Sequence, residues 1–435
     1  MANLVLVLFC AGLLLCVFTG KSVLYALVFG LAMFLLYARK QGFSVSELRE
    51  MSLSGIKTAK NVIINFIFIG MLTASWRSAG TIAVIVCSFT KFIKPDVFLL
   101  MAFLLCSGVS FLTGSSFATA ATMGVICTTM GNTMGISLVL SGGAVISGCY
   151  FGDRLSPVST SALLVSEITK TNLFDNLKLM ARDSIPACAA TSLIYLAMGF
   201  VIKRGDGSLD LEEIFSRDFS LSPIAVLPVI VLLAMAFKRC NMKLTMGVSI
   251  LTALPICILV QHRSAAEAAI TLWSGFKTHD PQLAAMINGG GIASMIRLMV
   301  ILCLASAYSG IFRETGMLKG LKSIVEKMAR RLTPFGATYI TASLAAAVSC
   351  NQTLDIFITQ QLCEDLYSEP GDFMISLEDS CILSAAYWPW NIAAATPLAS
   401  VGAPNAAILA AVYLFAIPIS RWIRVAIKSK MAAKA

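Results

Sequence analysis

Residues 108–117 read Gly108-Val109-Ser110-Phe111-Leu112-Thr113-Gly114-Ser115-Ser116-Phe117, and residues 349–354 read Ser349-Cys350-Asn351-Gln352-Thr353-Leu354. Each polar cluster interrupts a long apolar region, 97–130 in the first case and 335–366 in the second. In hydrocarbon an unpaired backbone group costs several kcal/mol, so a non-helical turn at that depth is tolerated only inside protein or beside an aqueous cavity. Both clusters therefore read as breaks in membrane-buried helices. Gly114-Ser115-Ser116 and Asn351-Gln352-Thr353 lie 237 residues apart, and the same offset sets Ser147 and Tyr150 on Ser384 and Tyr387. Upstream, Trp76-Arg77-Ser78-Ala79-Gly80 matches Phe312-Arg313-Glu314-Thr315-Gly316 after a one-residue slip, and Pro95 is answered by Pro334. The shared order points to an internal repeat.

The rest of the chain supplies the solvent for that reading. Of 435 residues, 57% are hydrophobic and 13% charged, against about 25% charged in an ordinary soluble domain. With a mean hydropathy of +0.83, the composition is that of an all-α polytopic membrane protein, read as a single transmembrane domain over residues 1–435. Continuous apolar spans are expected at 3–20, 22–38, 61–76, 136–151, 183–202, 221–237, 244–261, 289–311 and 405–423. Met1 to Gly20 has no basic n-region and is followed almost at once by a second apolar run, so it reads as a first helix rather than a signal peptide. Two histidines, His262 and His279, cannot furnish a histidine metal cage or a Ser-His-Asp relay. No G-x-x-x-x-G-K-[ST] loop for ATP occurs. An enzyme is thus not expected. The thirteen cysteines form no C-x-x-C pair and read as packing. The net charge of +10 is explained by Lys and Arg held on the cytoplasmic side, with no nucleic-acid partner.

Loop charges set an expected topology. Residues 39–60 carry five Lys and Arg and 312–333 carry six, whereas 77–95 carry three and 263–287 two. By the positive-inside rule the first two loops are cytoplasmic and the second two external. Equivalent loops then fall on opposite faces, as in an inverted duplication with its site at midplane. The expected boundaries are repeat 1 at 1–202, an external connector at 203–220 and repeat 2 at 221–435, with both termini cytoplasmic. This parity requires residues 80–93 and 316–331 to be interfacial helices rather than crossings.

At the breaks, neutral backbone and side-chain oxygens suit a small hard cation such as sodium, and a helix N-terminus suits a carboxylate. A second constellation follows the run 136–151: Phe151-Gly152-Asp153-Arg154-Leu155-Ser156-Pro157-Val158-Ser159-Thr160. Gly and Pro five residues apart break the helix, and intramembrane charges such as Asp153 and Arg154 are functional candidates by default. A single carboxylate there could carry a proton in exchange for a cation. The corresponding element of the second half, Trp388-Pro389-Trp390-Asn391, is proline-broken and uncharged. The candidate binding residues are Gly114, Ser115, Ser116, Gly152, Asp153, Arg154, Ser156, Ser159, Asn351, Gln352, Thr353, Asp355, Trp390 and Asn391, with sodium at Ser115, Ser116, Asp153, Asn351 and Thr353. Arg297 lies within the span 289–311, where it could pair with an acid across the bundle that the sequence does not name, and Arg77 and Arg313 are expected to anchor at the interface.

The stretches at 151–159, 108–117 and 350–354 resemble the NhaC-type sodium/proton antiporter family of the wider ion-transporter superfamily, over roughly residues 60–420. The resemblance implies an inverted-repeat fold with broken helices, cation-coupled transport in a bacterial cytoplasmic membrane, and often a homodimer. Gly152, Asp153, Arg154, Ser156, Pro157 and Ser159 match the family motif. Where the family commonly continues with an acidic residue, this chain has Thr160-Ser161-Ala162-Leu163, which removes one cation ligand or proton carrier. Related members exchange organic acids, for example malate for lactate. Two readings follow: a sodium/proton antiporter working by alternating access, or a sodium- or proton-coupled carrier of a small organic anion or amino acid, whose carboxylate Arg154 or Arg297 would meet. Sodium ion and proton are the expected transported ions, and no other cofactor is implied.

Overall fold

A computed structural model describes residues 2–19, 21–58, 60–90, 94–157, 159–201, 211–238, 240–316 and 321–432. Residues 203–210 of the expected connector lie outside the described residues, as does the side chain of Arg313. The described chain is helical almost throughout, confirming an all-α polytopic membrane protein.

The first half comprises α1 (Ala2–Phe18), α2 (Val23–Lys40), α3 (Val45–Thr58), α4 (Lys60–Ser78), α5 (Thr81–Thr90), α6 (Phe98–Thr113), α7 (Ser116–Thr119), α8 (Val125–Thr133), α9 (Leu138–Leu155), α10 (Thr160–Ile168) and α11 (Leu173–Val201). The linking helix α12 (Leu211–Ser216) follows. The second half comprises α13 (Leu227–Phe237), α14 (Met242–Leu259), α15 (Ala265–Ser274), α16 (Pro281–Ile287), α17 (Ile292–Thr315), α18 (Lys322–Arg331), α19 (Pro334–Ser349), α20 (Gln352–Cys363), α21 (Pro370–Ser384), α22 (Ile392–Val401) and α23 (Val412–Ala432). Among the described residues, Pro95–Thr113, Leu173–Val201, Ile292–Phe312 and Asn405–Ile427 are long and apolar enough to cross a bilayer. A fifth span arises if Val45–Lys57 and Val62–Ser78, bent by 43°, count as one.

The halves interlock reciprocally. α2 and α3 pack on α17, while α14 and α15 pack on α4. A Cβ added to Gly55 would meet the Ser306 carbonyl oxygen at 2.0 Å, and one added to Gly310 would meet that of Met51 at 2.0 Å. Small residues thus let the α3 and α17 backbones touch, the usual device of helix association in lipid.

Three elements differ from the sequence-based expectation. Residues 45–58 form a helix against α17, not a loop, although their basic residues read as a loop signal. α5 is no interfacial helix lying on the surface, because Ile82, Ala83, Val84, Ile85, Val86 and Cys87 are all buried; at ten residues it is about 15 Å long and too short to cross. α21 was not expected as an apolar segment, since Asp372, Glu378 and Asp379 interrupt it, yet Phe373 through Ser384 are buried on every side. Such burial marks a helix at the centre of the bundle.

Candidate ion and substrate site

The two polar clusters adopt the same backbone hinge. α6 ends on Gly114 at φ 62°, ψ 23°, and Ser115 at φ −145°, ψ 118° opens the next turn, its Oγ accepting from the Ala118 amide. α19 ends on Cys350 at φ 54°, ψ 12°, and Asn351 at φ −150°, ψ 128° opens α20, its side chain accepting from the Thr353 amide. A left-handed residue stops each helix and an extended polar residue caps the following one. Gly114 thus answers Cys350, an offset of 236 rather than 237.

At the second pair of breaks the offset changes again. Ser156 (φ −83°, ψ 136°) ends α9 and Ser159 caps α10, while Trp388 (φ −99°, ψ 114°) and Asn391 stand in the same positions before α22. Here Pro157 answers Pro389 and the offset is 232. The second half is therefore four residues shorter between its breaks, and Ser147 and Tyr150 are not the counterparts of Ser384 and Tyr387. With few identical residues, aligned letters could not reveal a deletion that the backbone turns mark directly.

Both first breaks open on one cavity of about 490 Å³. Ser115, Ser116, Asp153, Asn351 and Thr353 all line it, as do Gly114, Gln352 and Thr160. Gln352 Nε2 donates to Asp153 Oδ2 at 3.3 Å and to the Ile382 carbonyl at 3.1 Å, and Ser116 also bonds the Asp153 carboxylate. One carboxylate is thus encircled by amide, hydroxyl and backbone groups from both halves of the chain. Among the described residues no group of three or more His, Cys, Asp or Glu gathers as a metal site. The donor set of hydroxyl and amide oxygens with one carboxylate suits a hard, weakly held cation rather than a transition metal.

The remaining candidates lie outside this cavity. A Cβ on Gly152 would fall 2.0 Å from the Ser110 carbonyl carbon, so this glycine seats α9 on α6. The Ser159 and Ser161 hydroxyls donate to the backbone carbonyl of Asp153, the latter at 3.0 Å; they fix the break rather than face a ligand. Ser156 is buried in the same turn. Trp390 Nε1 donates to the Ala347 carbonyl at 2.9 Å and Asn391 Nδ2 to that of Ala346 at 2.8 Å, while the Ile392 amide donates to the Cys350 carbonyl at 3.1 Å. These bonds lash the second proline break to the end of α19. Asp355 is buried with one oxygen accepting from Thr359 Oγ1 at 3.2 Å and the other without a partner, but it does not line the cavity.

Arg154 is not available to a substrate carboxylate. It is fully buried, ion-paired with Asp379 and hydrogen-bonded to Ser184. Arg297 is exposed on α17 rather than turned into the bundle, and Arg77 is buried with its Nη1 on the Thr73 carbonyl at 3.4 Å, not anchored at a surface. The structure adds cavity residues that the sequence reading missed: Asn65 on α4, and Asn241 and Lys243 at the start of α14. It also adds Glu378 and Asp379, whose signal was two adjacent acids within an otherwise apolar stretch.

Comparison with known proteins places the chain in a family. A family model described as the Na+/H+ antiporter family matches residues 148–423. The chain is 30% identical over 339 residues to a malate-2H(+)/Na(+)-lactate antiporter of Bacillus subtilis, covering 75% of this chain and 71% of that protein. It is 28% identical to the arginine/ornithine antiporter ArcD of Halobacterium salinarum, covering 83% of this chain and 78% of the relative. It is also 28% identical to the Na(+)/H(+) antiporter NhaC of Bacillus subtilis, with 83% of each chain covered. With more than half of its length matched and its paired helix breaks meeting at one carboxylate, this chain belongs to the NhaC-type Na+/H+ antiporter family.

Proposed function

We propose that the protein exchanges sodium for protons by alternating access, with Asp153 as the group for which the two ions compete. The observation that carries this reading is the convergence of both helix breaks on the Asp153 carboxylate in one cavity. Sodium would be held by Asp153 with the oxygens of Ser115, Ser116, Asn351 and Thr353, and a proton on Asp153 would displace it. We read the two halves as an inverted repeat whose relative rocking exposes the site to either side; what supports this is the reciprocal packing of α2 and α3 on α17 and of α14 and α15 on α4. The basic C-terminal stretch at 421–434 supports a cytoplasmic C-terminus in a bacterial inner membrane.

A second reading is favoured by the size and lining of the cavity. About 490 Å³ is far more than a bare sodium ion fills and lies within the range of small-molecule pockets. Lys243 lines it, and Thr160 stands where the family commonly supplies an acid. A small organic anion or amino acid would then bind beside the cation, with its carboxylate toward Lys243. Proteoliposomes carrying an internal pH dye separate the two. Sodium-dependent proton flux without any organic solute supports ion exchange, and a strict requirement for a carboxylate or amino acid supports the second reading.

A further inference from the structure

The helix α22 carries two hydroxyls that neither reading uses. Thr396 and Ser400 have exposures of 0% and 4%, and neither Thr396 Oγ1 nor Ser400 Oγ has a hydrogen-bond partner. Buried helical hydroxyls ordinarily close onto the carbonyl four residues earlier, as those of Thr122, Thr128 and Thr191 do at 2.8, 3.0 and 2.7 Å. Both hydroxyls of α22 forgo that bond. A buried polar group left unpaired costs free energy that an apolar group of the same shape does not. Two of them on one short helix point to a use other than stability.

Their place in the helix connects them to the cavity. Ile392 and Ala393 line it, and Thr396 and Ser400 follow at the spacing of one helical face. α22 starts at the proline break and ends on Gly402, which is exposed together with Pro404, Asn405 and Ala406. The neighbouring helix α9 shows which way this leads. Its Asp153 lies at the cavity, whereas a Cβ built on Gly142 meets the side chains of Ala403 and Ala407 at 2.6 and 3.2 Å. Gly142 and Asp153 are eleven residues apart, about 16 Å along the helix. Thr160, an exposed residue of the cavity lining, follows the C-terminus of α9, so the cavity is open at the other end. The two hydroxyls thus form a buried row that runs from the cavity floor toward the opposite side of the bundle. α4, whose Val62, Asn65 and Ile69 also line the cavity, packs on α22, as does α17.

We infer that Thr396 and Ser400 line the second passage to the cavity, closed in this structure, through which a small cation reaches or leaves Asp153 from the C-terminal side of α22. A cation that enters a narrow path gives up part of its hydration shell, and oxygens on the wall replace the lost ligands. Hydroxyls held by no bond within the helix are free to turn toward it. The two residues lie outside the Asp153 site, so they act on passage and not on equilibrium binding.

This inference rests on the sodium/proton reading by alternating access, and the test keeps the two apart. The double variant Thr396→Val with Ser400→Ala is compared with wild type by melting in detergent, by radioactive sodium binding to the purified protein, and by sodium-driven proton flux in proteoliposomes. Because the exchange removes unpaired hydroxyls, melting is expected at or above the wild-type temperature. Sodium binding is expected to match wild type, while maximal flux falls about tenfold, the loss of one contact to a charged species. Wild-type flux in the variant overturns the inference and leaves the sodium/proton reading standing. A lowered melting temperature overturns it by making the hydroxyls structural, and a flux loss matched by weaker binding overturns it by making them part of the Asp153 site. Absence of sodium-driven flux in wild type overturns both. Thr396→Ser, which keeps a hydroxyl, is expected to carry flux as wild type does, and a loss as deep as that of the double variant counts against the passage.

Discussion

Gly152→Ala tests whether the close approach of α6 and α9 holds the site together. A Cβ at Gly152 would lie 2.0 Å from the Ser110 carbonyl carbon and 2.2 Å from the Phe111 nitrogen. Both are backbone atoms, so no side chain can swing aside. Gly148, one turn earlier on the same face, faces the Phe103 carbonyl oxygen at 2.6 Å from its own built Cβ. Ordinary contact begins near 3.4 Å, so the helices must separate by about 1.4 Å in an interior as dense as an organic crystal. Overpacking of this kind costs about 1–3 kcal/mol or more. Ser110 lies four residues before the Gly114 hinge, and Gly152 precedes Asp153, so the separation also draws the first break away from the carboxylate. A misplacement near 1 Å can cost about 100-fold in rate at an active site, and a transport loss of similar order is expected here. Melting in detergent and sodium-driven proton flux in proteoliposomes provide the two readouts. Gly108→Ala on the facing helix α6, where nothing lies within 4 Å of the added carbon, is the control. Wild-type melting and flux in Gly152→Ala would refute the argument.

Three further outcomes follow from the site. Asp153→Asn is expected to abolish sodium-driven proton flux while the purified protein elutes as wild type, because it removes the carboxyl group that lines the cavity; persistence of flux excludes its assigned role. Arg154→Met should destabilise by about 3–5 kcal/mol, since it strands Asp379 unpaired and buried. Pairing it with Asp379→Leu should recover most of that loss in a melting assay, and no recovery would show that the ion pair is not what Arg154 serves. Gly114→Ala places a side chain at φ 62° and should lower stability by about 1 kcal/mol, whereas an unaltered melting curve would mean that the hinge does not require a left-handed residue.

Much of the fold was legible because its signals are local. Apolar runs long enough for a bilayer, the polar interruptions at 113–116 and 349–353, and the Gly-Pro break after Phe151 are all read within a few residues. The errors arose where a local signal competed with packing. The basic residues of 39–60 suggested a loop, but Gly55 allows that segment to lie against α17 as a helix. The acids of α21 hid a central helix, because the partner of Asp379 is Arg154, 225 residues away.

What the sequence by itself determined is the chemistry of each segment: which stretches favour lipid, where helices must stop, and which oxygens and charges stand at the stops. Only the tertiary structure decided which of those groups face one another. Asp153 and Arg154 are neighbours in the chain, yet successive residues of an α-helix point about 100° apart. One therefore lines the cavity beside Gln352 while the other is sealed against Asp379. The rotation of a helix about its axis is fixed by the side chains and glycines of its neighbours, and that information is distributed across the whole bundle.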